Sequence, residues 1–185
     1  MSDLRVEAGP LPGTLLLQPT IHRDERGDFQ ESFSAREFRA ATGLDLTFVQ
    51  DNAVRSVRGV LRGLHLQVGT PQGKLVRVVS GAVFDVVLDL RGASPTYGQA
   101  RGCTLVPDGP QLWIPPGFAH GYLVLSDRAE VAYKVTAYRD ATAERVLQPL
   151  DPALGVVWPD IGAVRLAPRD AAAPRLADCP GLIAD

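Results

Sequence analysis

GVLRGLHLQVGTPQGKLVRVVSG, residues 59–81, reads as two strands joined by a Gly/Pro turn. The first strand carries Arg62 and His65, and the second begins at Lys74. An arginine, a histidine and a lysine set into apolar strands are costly to bury unless something polar meets them. A ligand carrying an anion and a carbonyl would satisfy all three. Each also has a plainer reading alone: His65 as a satisfied core histidine, Lys74 as a solvated strand end.

The rest of the chain supports a β context for this pair. Upstream, LLLQPTIHRD is a strand interrupted by Pro19. DERGDFQESF is a turn followed by a short alternating strand with Phe29, Glu31 and Phe33 on one face. One helix is marked: Ser34 caps SAREFRAATG, Glu37 completes a capping box and Gly43 ends it. Downstream, apolar runs recur at roughly 8–12-residue spacing, as in a sandwich or barrel. Ser80-Gly81 reads as a hairpin turn between two long strands. Past Asp140 the chain becomes Pro/Ala-rich, an irregular tail over the body. The expectation is one all-β domain over residues 1–185, with a few short helices.

Composition narrows the partners. The 185 residues carry a net charge of -2, which argues against nucleic acid. Two distant cysteines, Cys103 and Cys179, give neither a disulfide framework nor a zinc site. The N-terminus has no charged start followed by an apolar core, and no apolar run reaches membrane-spanning length. A soluble, cytoplasmic protein is expected.

Two stretches resemble the two-part signature of the cupin jelly roll. The first runs Gly59, His65, Gln67, Lys74, Gly81; the second runs Gly109, Pro115, Gly117, His120. In metal-binding cupins the first part supplies two histidines and a glutamate. Here Gln67 and Lys74 occupy the positions of the second histidine and the glutamate. An ammonium competes with a metal, so a cupin-type metal centre is not expected. A fixed organic cation suits negative charge developing on a substrate oxygen.

FVQDN, GVLRGLHLQ, QGKLVRV, GAVFDVVLDLR, SPTYG, QLWIPPGFAHGY, YKVTAY and RDAAAPRL occur in that order. Together they resemble the dTDP-4-dehydrorhamnose 3,5-epimerase family of nucleotide-sugar epimerases. The resemblance implies a cofactor-free, metal-free, cupin-type homodimer acting on a dTDP-linked sugar. It would invert C3 and C5 of a dTDP-4-dehydro-6-deoxyhexose by proton removal and return alpha to the 4-keto group. By resemblance His65 is the base, oriented by Asp170, and Tyr133 is the acid on the opposite face. Lys74, assisted by His120, would hold the enolate. Arg62, taken to share a strand face with His65, would meet the diphosphate. Gln50 and Asn52 would contact nucleotide or sugar. Arg26 and Glu31 would contact nucleotide and phosphate from a partner subunit, and Tyr138 would stack on the base.

Three positions depart from the family pattern, where aromatics are frequent: Asp28, Leu66 and Arg139. They bear on substrate fit more than on reaction type. The near alternative is an epimerase inverting C3 or C5 only, in a related deoxysugar pathway. A metal-dependent cupin enzyme is disfavoured by Gln67 and Lys74, and a non-catalytic sugar-binding cupin by the assembled His65, Lys74, Tyr133 and Asp170.

Overall fold

Two antiparallel sheets packed face to face form the body of the protein, a jelly-roll barrel of the cupin type. The computed structural model describes residues 4–180 and 182. In chain order the elements are β1 Leu4–Ala8, β2 Leu15–Pro19, β3 Ile21–Asp24, β4 Gly27–Gln30, α1 Ala35–Thr42, β5 Gln50–Val57, β6 Leu61–Gln67 and β7 Lys74–Ser80. They continue with β8 Val83–Asp89, β9 Ala100–Leu105, β10 Gln111–Ile114, β11 Phe118–Val124, β12 Arg128–Val135, β13 Glu144–Val146 and the short helix α2 Pro168–Ala171. One sheet has the order β1-β2-β10-β7-β12-β5, the other β13-β6-β11-β8-β9, and β3 pairs only with β4 in a projecting arm.

The sheets meet over Val76, Val78, Leu112, Ile114 and Val131 from the first and Val83, Val87, Leu105, Phe118 and Val124 from the second. The outer side of the second sheet is covered too, by Leu147, Leu154, Val156 and Trp158 of the C-terminal tail. That double covering explains why β11 is buried at every position, the polar His120 included, instead of alternating between buried and exposed. Asp151 pins the tail, accepting from Ala153 N at 3.0 Å and Leu176 N at 3.3 Å.

The helix forms as read: Ser34 Oγ accepts from Glu37 N at 3.3 Å, and Gly43 ends it at φ 73°. Its Phe38 packs edge-on against Phe48 and Trp113, on the outer face of the six-stranded sheet.

Two local readings are corrected. Ser80-Gly81 does not close a hairpin between paired strands: β7 and β8 belong to different sheets, so the turn carries the chain across the barrel. Gly81, at φ 78°, turns against the Arg128 carbonyl, where a Cβ would lie at 2.1 Å. The strand after the first turn ends at Gln30, before Glu31 and Phe33. Phe29 is exposed on the arm while Phe33 joins the Phe38–Trp113 cluster, and both line one groove with Glu31 without a continuous strand.

Candidate active site

A cavity of about 340 Å³ opens at one end of the barrel. The six-stranded sheet contributes Gln50 and Asn52 from β5, Lys74 from β7 and Tyr133 from β12; the other sheet contributes Arg62 and His65 from β6, His120 and Tyr122 from β11 and Glu144 from β13. Arg139 from the loop after β12, and Arg169 and Asp170 from α2, complete it.

His65 is half-buried, and its Nε2–H donates to Asp170 Oδ1 at 2.8 Å. Asp170 is 2% exposed, and its Oδ2 accepts from Gly63 N at 3.2 Å. Asp170 therefore holds the imidazole and the bend of β6 together. With Nε2 committed to the carboxylate, Nδ1 is the basic nitrogen. Burial lowers the His65 pKa below its ordinary 6.5, more than Asp170 raises it, so the ring is neutral at pH 7.

Arg62 lies three residues before His65, a separation that would put the two on opposite faces of a regular strand. They reach one cavity because of a bulge. His120 pairs with His65 and Tyr122 with Arg62, so β6 spends one residue more than β11 across this step. Gly63 takes φ 121° there, and a Cβ on it would lie 2.6 Å from Gly121 Cα.

Lys74 is sunk into the wall, with Nζ donating to the His65 carbonyl at 3.3 Å. Burial pulls its pKa down to about 8, against Asp85 and Glu144, which raise it. His120 is 7% exposed, and its Nε2–H is shared by both oxygens of the fully buried Asp85 at 3.0 and 2.9 Å. Tyr133 has its pKa raised by burial, partly offset by Arg62, which keeps the phenol protonated and able to donate. Gln50 Nε2 donates to Asn52 Oδ1 at 2.7 Å, so both amides face the cavity as a pair.

Three expected contacts lie off this cavity. Arg26 is paired with Asp24 on the β3–β4 arm. Glu31 lines a separate groove of about 310 Å³ beside α1. Tyr138 is 67% exposed outside the lining, and its carbonyl accepts from Gln67 Nε2 at 3.1 Å. Gln67 thus holds the loop after β12, its Oε1 also accepting from Asp140 N at 2.8 Å.

The sequence reading missed Glu144, Arg169 and Asp85. Glu144 is gripped by Arg139 at 2.7 Å and Arg169 at 2.9 Å. Burial pushes its carboxyl up, but the two guanidiniums hold it down to about 2. Arg169 adjoins Asp170 in RDAAAP, the sole sequence hint of its position; Glu144 and Asp85 carry no local signal. Among the lining residues, Arg62, Lys74, Arg139 and Arg169 face only Glu144 and Asp170 as acids, a balance suited to an anionic ligand.

The dTDP-4-dehydrorhamnose 3,5-epimerase family model matches residues 8–178. A dTDP-4-dehydrorhamnose 3,5-epimerase of Neisseria gonorrhoeae is 51% identical over 163 residues, 88% of this chain and 49% of the relative, so this chain spans about half of that protein's length. The crystal structure of the Legionella pneumophila dTDP-6-deoxy-D-glucose-3,5-epimerase, in complex with dTDP-4-keto-L-rhamnose, superposes with a TM-score of 0.91 at 46% identity, covering 94% of this chain and 93% of that one. A 3'-monoepimerase of Streptomyces bikiniensis in complex with dTDP-quinovose gives 0.88 at 35% identity, covering 95% and 92%. The matched motifs span both sheets and the tail that carries Asp170, and the chain belongs to the dTDP-4-dehydrorhamnose 3,5-epimerase family.

Proposed function

We propose that this protein is an isomerase that inverts C3 and C5 of a dTDP-4-dehydro-6-deoxyhexose, converting dTDP-4-dehydro-6-deoxy-D-glucose to dTDP-4-dehydro-L-rhamnose. The observation that carries the proposal is the hydrogen-bonded His65–Asp170 pair sharing one cavity with Tyr133 and Lys74. Both C–H bonds flank the 4-keto group, so removing either proton gives an enolate. Each inversion is a proton out and a proton in, with no electron transferred.

His65 Nδ1 takes the proton while Asp170 stabilises the imidazolium that forms. Lys74 Nζ, beside the His120 that Asp85 holds, donates to the oxygen on which charge develops; one placed donor is worth about 2.7–4 kcal/mol in the transition state. Tyr133, protonated because its pKa is raised, returns a proton to the other face. Arg62 and Arg169 take the diphosphate, and Gln50 and Asn52 the nucleotide or sugar. Arg26, Glu31 and Tyr138 serve the nucleotide, the first two from the partner of a homodimer. The whole chain acts as one cytoplasmic domain, without metal or cofactor.

Inversion of both carbons is favoured over one because the relatives named for both are 51% and 46% identical, against 35% for the monoepimerase. The test is incubation with dTDP-4-keto-6-deoxyglucose in heavy water, read by NMR. Deuterium at C3 and C5 with the L-rhamno product is expected. Label at one carbon reassigns the protein as a monoepimerase, and no label removes the epimerase reading.

A further inference from the structure

Gln67 is 7% exposed at the end of β6, and both ends of its side-chain amide are engaged. Nε2–H donates to the Thr70 carbonyl at 2.7 Å and to the Tyr138 carbonyl at 3.1 Å, while Oε1 accepts from Asp140 N at 2.8 Å. Two partners are carbonyls and the third is an N–H, so the amide fits in one orientation only. The bonds to Tyr138 and Asp140 fall on either side of Arg139 and fix its backbone from both flanks. Gln72 extends the tie, donating from Nε2 to the Ala137 carbonyl at 2.6 Å.

Arg139 leaves this clamp toward the cavity and is part of its lining. Its guanidinium donates to Glu144 Oε2 at 2.7 Å, and Glu144 is the residue paired with Gln67 across β6 and β13. Clamp and ion pair therefore close on two neighbouring positions. The Arg139 side chain is still 58% exposed, and a guanidinium carries more N–H donors than Glu144 takes. Burial and Glu144 raise the Tyr133 pKa, and Arg62 and Arg139 lower it, so both guanidiniums stand within electrostatic reach of one phenol. In the function proposed above, on which this inference rests, Arg62 takes the diphosphate of the ligand. We propose that Arg139 is a further diphosphate-binding residue and that Gln67 is its positioning residue. A guanidinium held in place loses less freedom on binding, and its fork matches two oxygens of a phosphate. The position that supplies a metal ligand in metal-binding cupins here clamps a loop.

Calorimetry with dTDP at low and at high salt reads both roles without turnover. Arg139→Met should bind dTDP about tenfold more weakly at low salt, in line with one hydrogen bond to a charged group. The gap should narrow at high salt, because an exposed ionic contact is screened. Gln67→Met should lose about five- to tenfold with the same salt trend. So should Gln67→Glu, which keeps the acceptor for Asp140 N and loses both donors. Gln67→Met together with Arg139→Met should bind no more weakly than Arg139→Met alone, since Gln67 acts through Arg139. Unchanged affinity in Arg139→Met overturns the contact, and a gap equal at both salts overturns its ionic character. Unchanged affinity in both Gln67 variants, or additive losses in the double variant, overturns the positioning. A wild type that binds dTDP but exchanges no protons of a 4-keto sugar overturns the reaction proposed above and not these two roles.

Discussion

Asp170 meets His65 at 2.8 Å from 105 residues further along the chain, and with its second oxygen it fixes the backbone of Gly63 at the bulge of the same strand. One carboxylate therefore sets both the tautomer of His65 and the local bend that brings Arg62 to its side. His65→Ala should keep the fold and lose about 10²–10⁴-fold in C3 and C5 exchange, the span of general acid–base catalysis. Deuterium incorporation followed by NMR, with circular dichroism as the folding check, measures it. Near-normal exchange would remove His65 as the base.

Lys74 is expected to trade stability for activity. Its ordinary pKa of 10.5 falls to about 8 in the folded protein, so between those values the unfolded chain binds more protons. Stability attributable to Lys74 therefore rises as pH climbs from about 8 to 10.5, and the charged form is a cost at pH 7. Lys74→Met should gain up to about 3 kcal/mol in urea unfolding at pH 7 while losing most turnover. A destabilised variant would contradict the buried-cation account.

The same two groups set the pH profile of the reaction. His65 must be neutral, and its lowered pKa places the acid limb below 6.5. Lys74 must be charged, which places the alkaline limb at about 8. Tyr133 stays protonated across this window because its pKa is raised. A bell-shaped kcat/KM profile is expected, and Lys74→Arg should move its alkaline limb upward, since guanidinium stays charged. An unmoved limb would take Lys74 out of the titration.

Gly63 tests the bulge. A Cβ there would lie 2.6 Å from Gly121 Cα and 2.8 Å from the His120 carbonyl, at a positive φ. Gly63→Ala should cost more than about 1 kcal/mol and lower activity together, because the strand must shift beneath Arg62 and His65. Thermal unfolding alongside kcat/KM reads both, and a stable, fully active variant would show that the bend is dispensable.

Glu144 holds two guanidiniums, one of them next to Asp170. Glu144→Gln should raise KM for the nucleotide sugar more than it lowers kcat, by freeing Arg139 and Arg169 without altering the base. Equal KM in the variant would confine Glu144 to a structural tie.

By itself the sequence determined the strand-rich barrel, the capped helix, and the His65 of GLHLQ and Lys74 of QGKLV that line the cavity. Apolar alternation, turn glycines and a capping box are local signals, written within a few residues. The rule of alternation does not account for Arg62 and His65 sharing one cavity: it gives no sign of the extra residue at Gly63, which only pairing with β11 exposes. The assignment of Ser80-Gly81 failed for the same reason, since the partner of a strand is chosen by the whole barrel and not by its turn. Tertiary structure alone decided that Asp85 stands behind His120 and that Glu144 joins Arg139 to Arg169. Burial and electrostatics depend on distances between segments remote in sequence, and those distances exist only once the two sheets have closed on each other.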